Sequence, residues 1–213
     1  MGRITAMLAA TAVACALAPT SALATTAYPA GADFQLDNAR STLSGGVLGV
    51  VISCTGLSGG TISVPAAPGN SATGALTVPL TTLPSWSGCT NNLIGGPTTR
   101  VVPSGSWSYT LNYGIPSQGT LNIPARGLTI LITDPSGATT LETGVITSAA
   151  AITGTFSNGI VTPLVNSSWG GSGSASSSWS GSLGTQTATT SIAIAGRTLS
   201  PLGGGTSPLL VGP

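Results

Sequence analysis

The chain is predicted to be all-β: a single antiparallel β-sandwich, or alternatively a small β-barrel, with one disulfide. Three observations lead there. Thirty-one glycines and fifteen prolines among 213 residues, together with abundant Ser and Thr, break any long helix. No stretch beyond the first two dozen residues keeps a 3.6-residue apolar period. Short runs instead alternate apolar with polar residues and stop at turn residues, the pattern of half-buried strands.

Residues 1–24 read as an export signal. Arg3 supplies the positive start, Ile4 to Ala18 is an apolar run, and Ala22-Leu23-Ala24 is an A-x-A cleavage site before Thr25. The run is too short to span a membrane, and no second long apolar segment follows it. Lipidation at Cys15 is the competing reading. Ala12 stands where a leucine-like residue is expected, and the apolar run continues past Cys15, so cleavage and secretion are preferred. The remainder divides into a β-sandwich over 25–198 and an irregular Gly/Pro-rich tail over 199–213.

Removing the signal leaves Cys54 and Cys89. An even count in an exported chain predicts a disulfide between them. Val47-Leu48-Gly49-Val50-Val51-Ile52 is a buried strand leading into Cys54. Thr61–Pro65, Ala75–Pro79 and Thr120–Pro124 share one design, alternation closed by a proline that removes a ladder donor. Ser106 to Tyr113 carries Trp107, Tyr109, Leu111 and Tyr113 on one face. Leu128 to Thr133 runs into Asp134-Pro135-Ser136-Gly137, which fits a type I turn, and the chain returns through Thr140 to Thr147.

Ala151–Ser157 and Ile160–Val165 flank Asn158-Gly159 and predict a hairpin. Thr185 to Ala195 reads as a last strand. Residues 168–182 (SWGGSGSASSSWSGS) suit either a flexible loop or strands whose small residues pack closely.

Charge bounds the chemistry. Five arginines, four carboxylates, no lysine and no histidine give a formal net charge of +1, and zero once Arg3 is removed. General acid–base and nucleophilic mechanisms near neutral pH lack their usual base, so the chain reads as non-catalytic, a carboxylate-only site being the exception. Asp33 and Asp37, four apart with Arg40 nearby, are the carboxylates to consider, against the plainer reading of a local surface ion pair. Two cysteines without histidine make no metal site. Gly-rich turns such as Leu57-Ser58-Gly59-Gly60 lack a phosphate loop's lysine, and four dispersed arginines make no nucleic-acid surface. No cofactor is implied.

Aromatics give the one positive binding signal. Period two places Trp107, Tyr109 and Tyr113 in the core. Trp169 and Trp179, set among Gly and Ser, are expected to be exposed and, with Trp86, to offer a platform for sugar rings.

Ile52-Ser53-Cys54-Thr55 and Trp86-Ser87-Gly88-Cys89-Thr90 resemble a motif pair of a loose group of small secreted, Ala/Thr/Gly-rich β proteins of actinobacteria. The resemblance spans about residues 34–113, and this chain lacks the later cysteines frequent in the group. It implies an exported β domain and brings no assigned activity.

The expectation is therefore a secreted structural or surface-interaction protein of the cell envelope. Its low charge and mean hydropathy of +0.43 favour self-association or contact with a surface. A glycan-binding module using the tryptophans and an outer-envelope β-barrel are the alternatives.

Overall fold

A computed structural model describes residues 23–37, 40–45, 49–182 and 184–213. The predicted export signal, residues 1–24, lies outside the described residues as far as residue 22, Cys15 included.

Alternating sequences produce fifteen strands among the described residues. The first five are β1 (Ala24–Tyr28), β2 (Asp33–Asp37), β3 (Arg40–Gly45), β4 (Val50–Ser63) and β5 (Ser71–Thr73). Next come β6 (Leu76–Asn91), β7 (Thr98–Pro103), β8 (Ser108–Asn112), β9 (Gln118–Ile123) and β10 (Leu128–Thr133). The last five are β11 (Thr140–Ile146), β12 (Ala150–Ser157), β13 (Ser167–Gly181), β14 (Gly184–Pro201) and β15 (Leu210–Gly212). Every pairing between them is antiparallel, and Cys54 is bonded to Cys89. The fold class is thus all-β, with antiparallel sheets and the predicted disulfide.

One ladder runs β14–β3–β4–β6–β8–β9–β12–β13 and returns from β13 to β14. A single lateral row, Thr77–Thr110–Thr120–Thr153–Ser172–Ala193–Thr42–Ser53–Thr90, can be followed across these pairings. Its members are exposed or half-exposed. The intervening positions, among them Leu43, Ile52, Val78, Leu111, Leu121, Ile152 and Ile192, are buried in one core. This division by alternate residues follows from the period of two in a strand.

Strands β10, β11 and β7 extend the sheet beyond β13. A separate three-stranded sheet joins β15, β1 and β5.

Several elements differ from the sequence expectation. Proline does not end the strand at Pro79: β6 continues through Pro79 and Pro84. Pro79 pairs with Ser108 of β8, and the next residue, Leu80, pairs with Ile62 of β4. The proline therefore sits where the strand changes partner, and its missing N–H leaves no gap in a continuous ladder. Opposite Pro84, Gly59 and Gly60 of β4 have positive φ (73° and 83°), and a Cβ on Gly60 would come within 3.2 Å of the Pro84 ring.

For residues 168–182, the structure takes the closely packed strand alternative over the loop. They form most of β13, whose pairing with β14 extends from Ser167–Leu199 to Gly181–Gly184.

The Asn158-Gly159 hairpin does not form either. The Asn158 amide instead brackets Val211, donating to its carbonyl at 2.9 Å and accepting from its N–H at 2.7 Å. Ile160 and Val165 make only an isolated bridge, while β12 pairs with β13 and β9. The tail is also more ordered than expected. Its first residues, Leu199–Pro201, complete β14, and β15 pairs with β1 and buries Leu209 and Val211. The Asp134 turn matches its prediction, with the Gly137 N–H donating to the Asp134 carbonyl at 2.9 Å.

Candidate functional site

Two of the three tryptophans proposed as a sugar platform are buried. Trp169 and Trp179 are only 2 % and 3 % exposed. Because β13 is one extended strand, its odd-numbered residues, Ser167 and Ser177 among them, turn inward and its even-numbered serines turn outward. Trp169 donates its indole N–H to the Gly119 carbonyl at 2.8 Å and meets Tyr109 edge-on at 5.4 Å between centroids. Trp179 donates to Ser177 Oγ at 3.0 Å and lies over Gly144, where a Cβ would come within 2.8 Å of the ring. Trp86 is half-buried, donates to Ser41 Oγ at 2.9 Å and packs edge-on to Trp107 at 5.9 Å. All three are packed into the protein by their own hydrogen bonds and neighbours.

A cation joins them in the core. Arg197 is fully buried, with its guanidinium carbon 5.9 Å from the centre of the Trp169 ring. Among the described residues, none of its three guanidinium nitrogens has a hydrogen-bond partner, and neither does the buried Tyr109 hydroxyl. Burial lowers the Arg197 pKa to about 10, partly offset by Tyr109 and Asp37, and burial raises that of Tyr109 well above its ordinary value.

A β-bulge puts the arginine there. Between the pairs Trp169–Arg197 and Gly171–Ile194, β14 carries one residue more than β13. Gly196, within this bulge, has φ 69°. The extra residue shifts the alternation by one, so Ile192 and Ile194 face inward before it and Arg197 and Leu199 after it. Alternation carried straight on from Ile194 would have sent Arg197 to solvent. Sequence reasoning missed this residue, and Gly196 was the available signal.

The charged residues singled out in the sequence are dispersed. Asp33 accepts from Ser63 Oγ at 2.5 Å, and Asp37 accepts from Gln35 Nε2 at 2.7 Å. Glu142 is buried beside the β13–β14 turn and accepts from Ser182 Oγ at 3.0 Å. Asp134 holds its turn by accepting from Ser136 Oγ and the Ala138 N–H, and the serine bond is the main reason its pKa is lowered. Among the described residues there is no cluster of three or more His, Cys, Asp or Glu able to hold a metal ion.

What the fold does assemble is a hydroxyl face. On β13 the outward residues are Ser172, Ser174, Ser176, Ser178 and Ser180; opposite them on β14 stand Ala193, Ser191, Thr189, Thr187 and Thr185. β3 adds Ser44 beside Ser191 and Thr42 beside Ala193. These positions are exposed or half-exposed, and none is charged. Strand geometry spaces such side chains about 6.5–7 Å along a strand and about 4.8 Å between strands. At the β3 end, Thr42, Ser44, Ser172, Ser174, Ser191 and Ala193 border a shallow groove of about 350 Å³. The short Ala193 side chain at its centre, between Thr42 and Ser172, keeps it low. Chemically, the arrangement offers repeated neutral donors and acceptors and no titrating group.

No protein-family model, curated protein or solved structure matches the chain.

Proposed function

We propose that the protein is an exported, non-catalytic surface-interaction protein of the cell envelope, akin to the secreted actinobacterial β proteins it resembles. Its outward face on β13, β14 and β3 adheres to a neutral, hydroxyl-rich polymer. The observation that carries this reading is the uncharged Ser/Thr face with its groove at Ala193. Hydroxyl groups donate and accept, as sugar hydroxyls do. Each such hydrogen bond is worth only about 0.5–1.5 kcal/mol net, so affinity accrues by repetition along an extended polymer.

The tryptophan-platform alternative loses its support with Trp169 and Trp179 buried. The outer-envelope barrel needs an outward apolar band; here Ser and Thr occupy the outward row and the apolar residues face the core, which weighs against it. A carboxylate-only active site finds Asp33 and Asp37 each held by a neighbouring side chain.

Co-sedimentation with insoluble neutral glucans and mannans tests the proposal. The protein should pellet with at least one of them, equally at low and high salt because no ion pair is involved. Ser191→Arg, which projects a long charged side chain into the groove, should abolish pelleting. No binding by the unaltered protein, or binding unaffected by the substitution, refutes this reading.

A further inference from the structure

Among the described residues, the pairing pattern leaves part of β14 open. β13 lines one side of β14 as far as its start at Gly184; on the other side β3 pairs only from Ser191 onward, with Gly45 against Thr190. Among the described residues, nothing pairs with residues 184–189 on that second side. The segment is Gly184-Thr185-Gln186-Thr187-Ala188-Thr189. It carries no charge and no proline, and the register shift in β14 lies well beyond it.

An open edge presents unpaired N–H and C=O groups, which proteins ordinarily protect with charge, proline, a bulge or a very short strand. β7, which ends the strand order, has such protection: Arg100 is exposed and Pro103 closes the strand. Two β7 strands paired about Arg100 would bring like charges together. Two β14 edges would not.

The edge is also complementary to itself. Antiparallel pairing about a two-fold axis at Thr187 sets Thr187 against its counterpart and Thr185 against Thr189 of a second copy. Every outward position then has threonine facing threonine. The fold already makes such cross-strand hydroxyl bonds, Thr77–Thr110 at 2.8 Å, Thr120–Thr153 at 3.0 Å and Thr98–Thr133 at 2.5 Å. The inward-facing alternates are Gln186 against Ala188, also without charge.

We infer that two copies of this chain associate through residues 184–189 of β14, as an isologous antiparallel strand pair that carries the sheet from one molecule into the next. The hydroxyl faces of the two β13–β14 hairpins then lie on one continuous sheet.

Sedimentation velocity of the purified protein tests this, with circular dichroism to confirm that each variant is folded. The unaltered protein should sediment as a dimer that salt does not dissociate. Thr187→Lys, which sets two ammonium groups against each other on an exposed position, should weaken association at least tenfold, whereas Thr98→Lys on β7 should leave it unchanged. A Thr187→Cys variant should be linked into covalent dimers by a short bismaleimide. A monomeric unaltered protein, a Thr187→Lys variant that dimerises as before, dissociation by Thr98→Lys, or absence of cross-linking through Cys at 187 would each overturn the inference.

Discussion

The guanidinium of Arg197 stands 5.9 Å from the centre of the Trp169 ring and, among the described residues, has no hydrogen-bond acceptor for any of its nitrogens. A buried cation of this kind is costly. Desolvation in a protein interior takes several kcal/mol, and a desolvated cation–π contact returns about 2 kcal/mol. The bulge at Gly196 enforces the arrangement, because it turns Arg197 toward the core along with the apolar residues around it.

The first prediction concerns that cost. Arg197→Met keeps a long flexible side chain over Trp169 and removes the charge. Unfolding in urea should show stabilisation by about 1–3 kcal/mol. A loss of stability instead would mean that the guanidinium is compensated more fully than a cation–π contact allows.

Alkaline pH should expose two opposing contributions. The folded-state pKa of Arg197 is lowered to about 10, so the native protein releases this proton before the unfolded chain does. Its contribution to stability therefore rises with pH above about 10. Tyr109 is the reverse: its pKa is raised, the native protein keeps a proton that the unfolded chain loses, and stability falls with pH above the ordinary tyrosine range. Arg197→Met should therefore lose stability more steeply than the unaltered protein on the alkaline limb, and Tyr109→Phe less steeply. Identical alkaline slopes in all three proteins would contradict this assignment.

Gly119 makes room for the same cluster. A Cβ there would overlap the Tyr109 hydroxyl and come within 2.8 Å of Trp169 Cδ1. Gly119→Ala should destabilise by about 1–3 kcal/mol through overpacking. Tyr109→Phe, which removes the overlapping oxygen, should recover part of that loss, giving a coupling energy of about 0.5–3 kcal/mol in a double-mutant cycle. Strict additivity would show that the two residues do not share the space.

The disulfide joins directly opposed residues of β4 and β6 and closes a separation of 35 residues. The chain-entropy relation gives about 4 kcal/mol for a loop of that length. The double variant Cys54→Ser, Cys89→Ser should lower the midpoint of thermal unfolding accordingly. A reductant should affect the unaltered protein and not the variant. Equal midpoints for the two proteins would assign the bridge no stabilising part.

Much of the architecture was legible in the residues. Alternation located the strands at Ser106–Tyr113 and Leu128–Thr133, the cysteine count paired Cys54 with Cys89, and Asp134-Pro135-Ser136-Gly137 announced its turn. These are local signals, set by side-chain period and turn chemistry within a few residues. The β13 region was ambiguous because Ser and Gly have weak strand preference. Its long pairing with β14 and the burial of two tryptophans override that preference, and neither is visible from 15 residues alone. Asn158-Gly159 misled for a similar reason, since a distant strand, β15, takes the asparagine amide that a local hairpin turn would have left free.

By itself, then, the sequence determined an all-β chain with a disulfide and almost no charge, properties that composition and short-range periodicity settle. Tertiary structure decided which residues of β13 and of the end of β14 face inward. A single inserted residue at a bulge reverses every position after it, so Arg197 went to the core, while unbroken alternation in β13 turned Trp169 and Trp179 inward and left serine and threonine to make the surface.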